Sequence, residues 1–263
     1  MRKILLTSVG VAALAVGANA TDFTLSGTAK VKIDDAGDSS VDISTAIGVS
    51  KTFDNGMVLS LSNSLDATNT GTATELTLTS DAISVTFGDI DQNEKNPGLN
   101  GNAAAADISG DGASNASDNA GAISLGTAIG GVGIGAAMNN AGDTLFGASI
   151  TTDLGGIAMT VGADMYSDND TGSDQTAMGV KATLGSLVVV ANSVQKEAAA
   201  GVDVTTYSAA YTTGGLVIGF QGADNDQSAY SATYTIVPGM QFEIGSEDNG
   251  TTSTSSAQLQ MTF

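Results

Sequence analysis

From residue 23 onward, apolar residues alternate with Ser, Thr, Gly or charged residues at a period of two, the repeat of a strand whose two faces meet different surroundings. Phe23, Leu25, Ala29, Val31 and Ile33 share one parity, and Thr24, Ser26, Thr28, Lys30 and Lys32 share the other. Val41, Ile43, Ile47 and Val49 repeat the pattern, and Asp54-Asn55-Gly56 then makes a tight turn into Met57, Leu59, Leu61 and Leu65. The same count predicts sixteen strands, at 23–34, 41–53, 57–66, 72–79, 83–89, 122–129, 132–138, 144–152, 157–166, 175–183, 187–195, 202–212, 216–222, 228–236, 240–246 and 254–263. Strand 187–195 is apolar on both faces, so its pattern alone does not fix its register.

The connections alternate in length. Brief turns fall at 54–56, 80–82, 130–131, 153–156, 184–186, 213–215 and 237–239, all built from Gly, Asp, Asn, Ser or Pro-Gly. Longer polar loops lie between them, near 35–40, 67–71, 90–121, 139–143, 167–174, 196–201, 223–227 and 247–253. This predicts an up-and-down antiparallel meander with one rim of turns and one rim of loops. Sixteen strands that each carry a continuous apolar face make more hydrophobic sheet than two packed layers cover, so the sheet is expected to close on itself. In water the apolar outside of such a barrel would be intolerable; in a bilayer it is required, because every backbone group must bond within a closed sheet. The fold expected is an all-β transmembrane antiparallel barrel.

The charges fit that division. The four strand acids Asp42, Glu75, Asp164 and Glu243 fall on the polar parity, as do Lys30, Lys32 and Lys181. Lys51 is the exception: it sits on the apolar parity, close enough to a turn for its ammonium to snorkel to the interface. Outward-parity aromatics gather near strand ends, with Phe23, Phe53, Tyr211, Tyr234, Phe242 and Phe263 at one rim and Phe146 and Tyr230 at the other, as in interfacial girdles.

Composition narrows the chemistry. The 263-residue chain has no Cys and no His, which removes thiolate and imidazole catalysis, zinc thiolate centres and disulfides. It carries 28 acidic residues against 8 basic ones, a formal net charge of −20, and its only Arg is Arg2, so it would be repelled by nucleic acid. With 41% apolar and only 14% charged residues it is too hydrophobic to be disordered. Arg2 and Lys3, the apolar run Ile4 to Gly17 and the small-residue site Ala18-Asn19-Ala20 read as a secretory signal peptide over 1–20, which leaves a barrel domain over 21–263.

Three segments carry a resemblance: the opening Phe-Thr-Leu-Ser-Gly at 23–27, Val-Thr-Phe-Gly-Asp at 85–89 leading into the longest loop, and the end Gln258-Leu259-Gln260-Met261-Thr262-Phe263. With these the chain resembles the general porins of Gram-negative outer membranes, particularly the alphaproteobacterial type, over all of 21–263. The terminal Phe, with Ala257, Leu259 and Met261 at alternate positions before it, is similar to the signal by which outer-membrane barrels are recognised for insertion. The resemblance implies an outer-membrane protein of sixteen strands with short turns in the periplasm, assembled as a homotrimer, in contact with outer-membrane lipid, passing ions and small hydrophilic solutes, and with its third long loop folded inward. The longest loop, 90–121, is the third long one and joins the fifth and sixth predicted strands.

Acidic residues of that loop would then face a basic cluster on the wall. The candidates for lining and constriction are Asp89, Asp91, Glu94, Lys95, Asp107 and Asp111 in or beside the loop, with Lys30, Lys32, Asp42, Glu75 and Lys181 on the wall. The wall has no Arg to offer, a departure from the family's strong basic ladder, and the excess of acids predicts a preference for cations. Asp107 and Asp111, separated by Ile-Ser-Gly, supply hard oxygen ligands for calcium, although their spacing matches no EF-hand loop and solvated loop charge is the plainer reading. No other cofactor is expected.

Two motifs look chemical without the context to be so. Asp170-Thr171-Gly172-Ser173 matches the short aspartic-protease motif, but occurs once and follows a polar turn. Gly130 to Gly135 resembles a phosphate-binding glycine loop, yet no helix follows, and it reads as a turn plus small residues in a barrel wall. Two other function classes compete with a channel. A secreted acidic calcium-binding β-rich surface protein would share the composition, but the chain shows no fixed short repeat. A barrel hydrolase would want a His base that this chain lacks.

Overall fold

The computed structural model describes residues 21–65, 71–88, 95, 122–167, 169, 174–197 and 203–263. Every predicted strand is present, and no regular element other than strand is found among the described residues. In chain order they are β1 Thr21–Asp34, β2 Ser39–Thr52, β3 Val58–Leu65, β4 Gly71–Thr79, β5 Ile83–Gly88, β6 Ala122–Ile129, β7 Val132–Met138 and β8 Thr144–Asp153. The second half is β9 Ala158–Ser167, β10 Gln175–Leu184, β11 Leu187–Lys196, β12 Val204–Thr213, β13 Leu216–Ala223, β14 Ser228–Val237, β15 Met240–Asp248 and β16 Ser253–Thr262.

Each strand pairs antiparallel with its neighbours in sequence, and β1 pairs with β16, so the sixteen-strand sheet closes and leaves no strand without a partner on either side. At strand spacings of ~4.8 Å and a tilt of ~40°, such a barrel is roughly 32 Å across, wide enough for water inside. The seam is held in register by Val31 opposite Leu259 and Lys32 opposite Gln258, and the last residue closes it through Phe263 N–H to Gly27 O at 3.0 Å and Gly27 N–H to Phe263 O at 2.9 Å.

Parity decides which face each side chain takes. Val31, Ile43, Leu61, Phe87, Leu125, Ile134, Ile150, Val161, Ile218 and Ile244 all stand exposed on the outside of the barrel. Their sequence neighbours are the Ser, Thr, Gly and charged residues that face inward. The ambiguous strand is settled by pairing: β11 places Leu187 and Val189 outside, opposite Tyr211 and Ala209, and turns Val190, Asn192 and Val194 inward. Lys51 is outward as expected, with its Nζ 5.6 Å from the centre of the Phe53 ring. The outward aromatics are exposed at both rims, and Phe220 packs between Tyr207 and Tyr230, with ring centroids 5.9 and 5.0 Å away.

Three of the described loop-rim connections are shorter than the pattern implies. The connections at 35–38, 139–143, 224–227 and 249–252 are compact turns, and their acids act as hydrogen-bond acceptors within them. Asp34 Oδ1 accepts from Asp38 N–H at 2.8 Å and Asp248 Oδ1 from Gly250 N–H at 2.9 Å; between the ends of β11 and β12, Asp203 Oδ1 accepts from Lys196 N–H at 3.1 Å. Asp143, almost fully buried, takes Asn139 Nδ2–H at 2.7 Å and the Asn169 N–H at 2.9 Å, which ties two neighbouring rim turns together. Asx side chains favour such turns because they imitate a backbone acceptor.

Candidate functional site: the inner wall of the barrel

The interior is lined by residues of the polar parity, and it divides into two arcs. On β15, β16 and β1 to β5 the inward side chains are half-buried or exposed, as expected beside water. They include Glu243, Gln258, Lys30, Lys32, Asp42, Ser62, Glu75, Thr77 and Thr86. On β6 to β14 many inward side chains are buried, among them Ser124, Leu145, Tyr166, Ala177, Val190, Asn192, Val194, Ser208, Gln221 and Ser231, while Thr160 and Lys181 are half-buried and Thr151 is exposed.

The open arc groups its charges through strand register. Lys30 lies opposite Asp42 on β2 and Gln260 on β16. One step further along, Lys32 lies opposite Gln258, which lies opposite Glu243, and Gln258 Nε2–H donates to Glu243 Oε2 at 3.1 Å. Directly opposed residues stand ~5 Å apart at Cβ, so each lysine shares a patch with a carboxylate or an amide rather than standing in a basic ladder. Glu75 faces the same arc from β4, between Ser62 and Gly88. A hydroxyl ladder continues the polar lining, with Thr77 Oγ1 3.1 Å from Thr86 Oγ1.

Lys181 is not part of this patch. It sits on β10 between Thr160 and Val190, across the barrel from β1. The three wall lysines therefore form two separate groups, because register places β10 seven strands away from β1 by the shorter route round the barrel.

Of the loop candidates, Asp89, Asp91, Glu94, Asp107 and Asp111 lie outside the described residues, as do the proposed calcium pair, the Asp170–Ser173 motif and the leader at 1–20. Two observations bear on where the 90–121 loop begins. Gly88 ends β5 at φ 122°, a conformation that side chains disfavour, and a Cβ there would collide with the carbonyl oxygen of Thr74. Lys95, the described residue of the loop, is half-buried inside the barrel: its N–H donates to Asp164 Oδ1 on β9 at 2.7 Å. Burial pushes the Lys95 ammonium below the usual lysine value, and the Asp164 carboxylate opposes that shift.

Asp164, Glu243 and Gln258 are wall residues that the list of candidates omits. The parity of Asp164 and Glu243 marks them as inward, which was signal enough for Glu243. Nothing in the local pattern connects Asp164 to a residue 69 positions away. The glycine run also takes its expected place: Gly130 and Gly131 form a turn with φ of 59° and 84°, and Gly133 and Gly135 face inward on β7.

No family model matches the chain, and no curated protein matches it in sequence. Solved structures do match in fold. An engineered Rhodopseudomonas blastica porin aligns with a TM-score of 0.74 at 13% identity, covering 93% of this chain and 100% of that one. A triple mutant of the same porin gives 0.66 at 14% identity with the same coverage, 93% and 100%. A structure described under the asymmetric conductivity of engineered proteins gives 0.73 at 13% identity, again over 93% and 100%. The chain thus has the sixteen-strand porin fold along essentially its whole described length.

Proposed function

We propose that the protein is a bacterial outer-membrane channel through which ions and small hydrophilic solutes diffuse, with a preference for cations. The observation that carries this reading is an apolar outer face kept round a closed sixteen-strand barrel, with hydroxyl and charged side chains lining the open arc inside. An apolar outside is stable only against lipid, and a polar, half-open inside only against water. The fold it shares with the Rhodopseudomonas blastica porin supports the same reading.

Passage needs no covalent chemistry; the lining sets size and charge preference. On the open arc Lys30 and Lys32 are outnumbered by Asp42, Glu75, Glu243 and Glu247, all inward and none fully buried. Their summed field raises the local concentration of cations, and at ~0.1 M salt the Debye length of ~10 Å lets that field reach across much of the lumen. The 90–121 loop folds inward in this reading; its described residue, Lys95, held against Asp164 on the inner wall, supports this.

The copies associate as homotrimers through the outside of β2 to β4. Thr45, Asn63 and Thr74 interrupt the apolar surface there, and Asn63 Nδ2–H donates to Thr74 Oγ1 at 2.7 Å, polar groups that gain more from a protein partner than from hydrocarbon. Planar bilayers test the whole reading. Conductance in three equal steps with a reversal potential favouring potassium over chloride is expected under a KCl gradient; anion preference, or purified protein that stays dissolved without detergent, would overturn it.

A further inference from the structure

We propose that Asp164 is a positioning residue whose carboxylate fixes residue 95 against the inner wall of β7 to β9, and so sets how much of the lumen stays open. The inference rests on the channel reading above. Asp164 is fully buried in the middle of a strand, where a carboxylate without donors would be costly. The Lys95 N–H supplies one at 2.7 Å, the short distance typical of a charged acceptor. The wall beneath is shaped to receive it. A Cβ at Gly147 would collide with Asp164 Oδ1 and come within 3.1 Å of Lys95 Cγ, and a Cβ at Gly133 would lie 3.7 Å from Lys95 Cδ. A buried acceptor, a backbone donor and a floor without side chains therefore meet at one point, although Asp164 and Lys95 are 69 residues apart.

The donor is a main-chain group, so the contact has a specific signature. D164A removes the acceptor, whereas K95P removes the donor without touching the wall. Each is expected to raise unitary conductance at least about 1.5-fold and to admit larger neutral polyethylene glycols. D164N, whose amide oxygen still accepts, is expected to fall between D164A and wild type.

A readout independent of current uses the absence of native cysteine. In K95C, which keeps the N–H, a water-soluble maleimide is expected to label slowly, and about fivefold faster or more once D164A is added. Folding of each variant is checked by the heat-dependent gel shift of an intact barrel. Wild-type conductance in folded D164A and K95P, or unchanged K95C labelling with D164A, would overturn the proposal. A wild-type chain that carries no current defeats the channel reading instead, while the labelling still decides the contact.

Discussion

Placing an arginine on either side of one strand tests which solvent each face meets. Ile150 and Thr151 are neighbours on β8: Ile150 is 53% exposed on the outside between Val132 and Val161, and Thr151 faces inward with its Oγ1 2.9 Å from Thr160 Oγ1. Ile150 is three residues from the end of β8 at Asp153. With ~3.3 Å per residue and a tilt of ~40°, that is ~8 Å inside the rim of an apolar belt ~25 Å tall, or ~5 Å from its midplane. Ile150→Arg is therefore expected to cost about 2–3 kcal/mol, short of the full midplane penalty. Thr151→Arg gives up one hydroxyl contact and keeps its charge in water, a loss of about 0.5–1 kcal/mol. A gap of ~1.5 kcal/mol is about tenfold in the folding equilibrium, well within the reach of urea titration in lipid vesicles. The chain has no Trp, so folded and unfolded fractions are read by far-ultraviolet circular dichroism or by gel shift. Equal losses, or a larger loss for Thr151→Arg, would refute the assignment of the two faces.

Three further outcomes follow. Glu243→Gln and Glu75→Gln are expected to lower the potassium to chloride permeability ratio together more than either does alone, and Lys32→Gln to raise it, measured as reversal potentials. The selectivity of the wild type should shrink as salt rises from about 0.1 to 1 M, because the Debye length falls from ~10 to ~3 Å; a ratio independent of salt would point to a cause other than lining charge. Gly88→Ala is expected to lower stability by about 1–3 kcal/mol, since φ 122° and the Thr74 carbonyl both exclude a side chain, with the urea midpoint as the measurement.

The barrel was legible because its two solvents are so different. Where one face meets lipid and the other water, every residue reports its side, and a slip by one would reverse the entire strand. Strand ends such as Ile129 and Val132 followed from the Gly130-Gly131 turn between them. What escaped the pattern depends on contacts between distant parts of the chain. Val190 and Val194 read as a second apolar face on β11 because they point into the covered arc, where their surroundings are protein rather than water. Lys181 read as part of a basic wall with Lys30 and Lys32 because parity gives the face of a residue and not its position round the circumference. The turn contacts of Asp34, Asp143 and Asp248 with N–H groups also escaped the pattern, although the Asp and Asn of 34–38, 139–143 and 248–252 were an available signal.

The central claim is a hollow cylinder greasy without and wet within, and a nitroxide scan along β15 tests it most directly. The chain has no cysteine, so each label from Met240 to Asp248 occupies a unique site. In bilayers, labels at Phe242 and Ile244 are expected to collide with oxygen dissolved in the lipid, and labels at Gln241, Glu243 and Gly245 with a water-soluble nickel chelate, alternating residue by residue. Accessibility without that alternation, or with the two sets exchanged, would contradict the account.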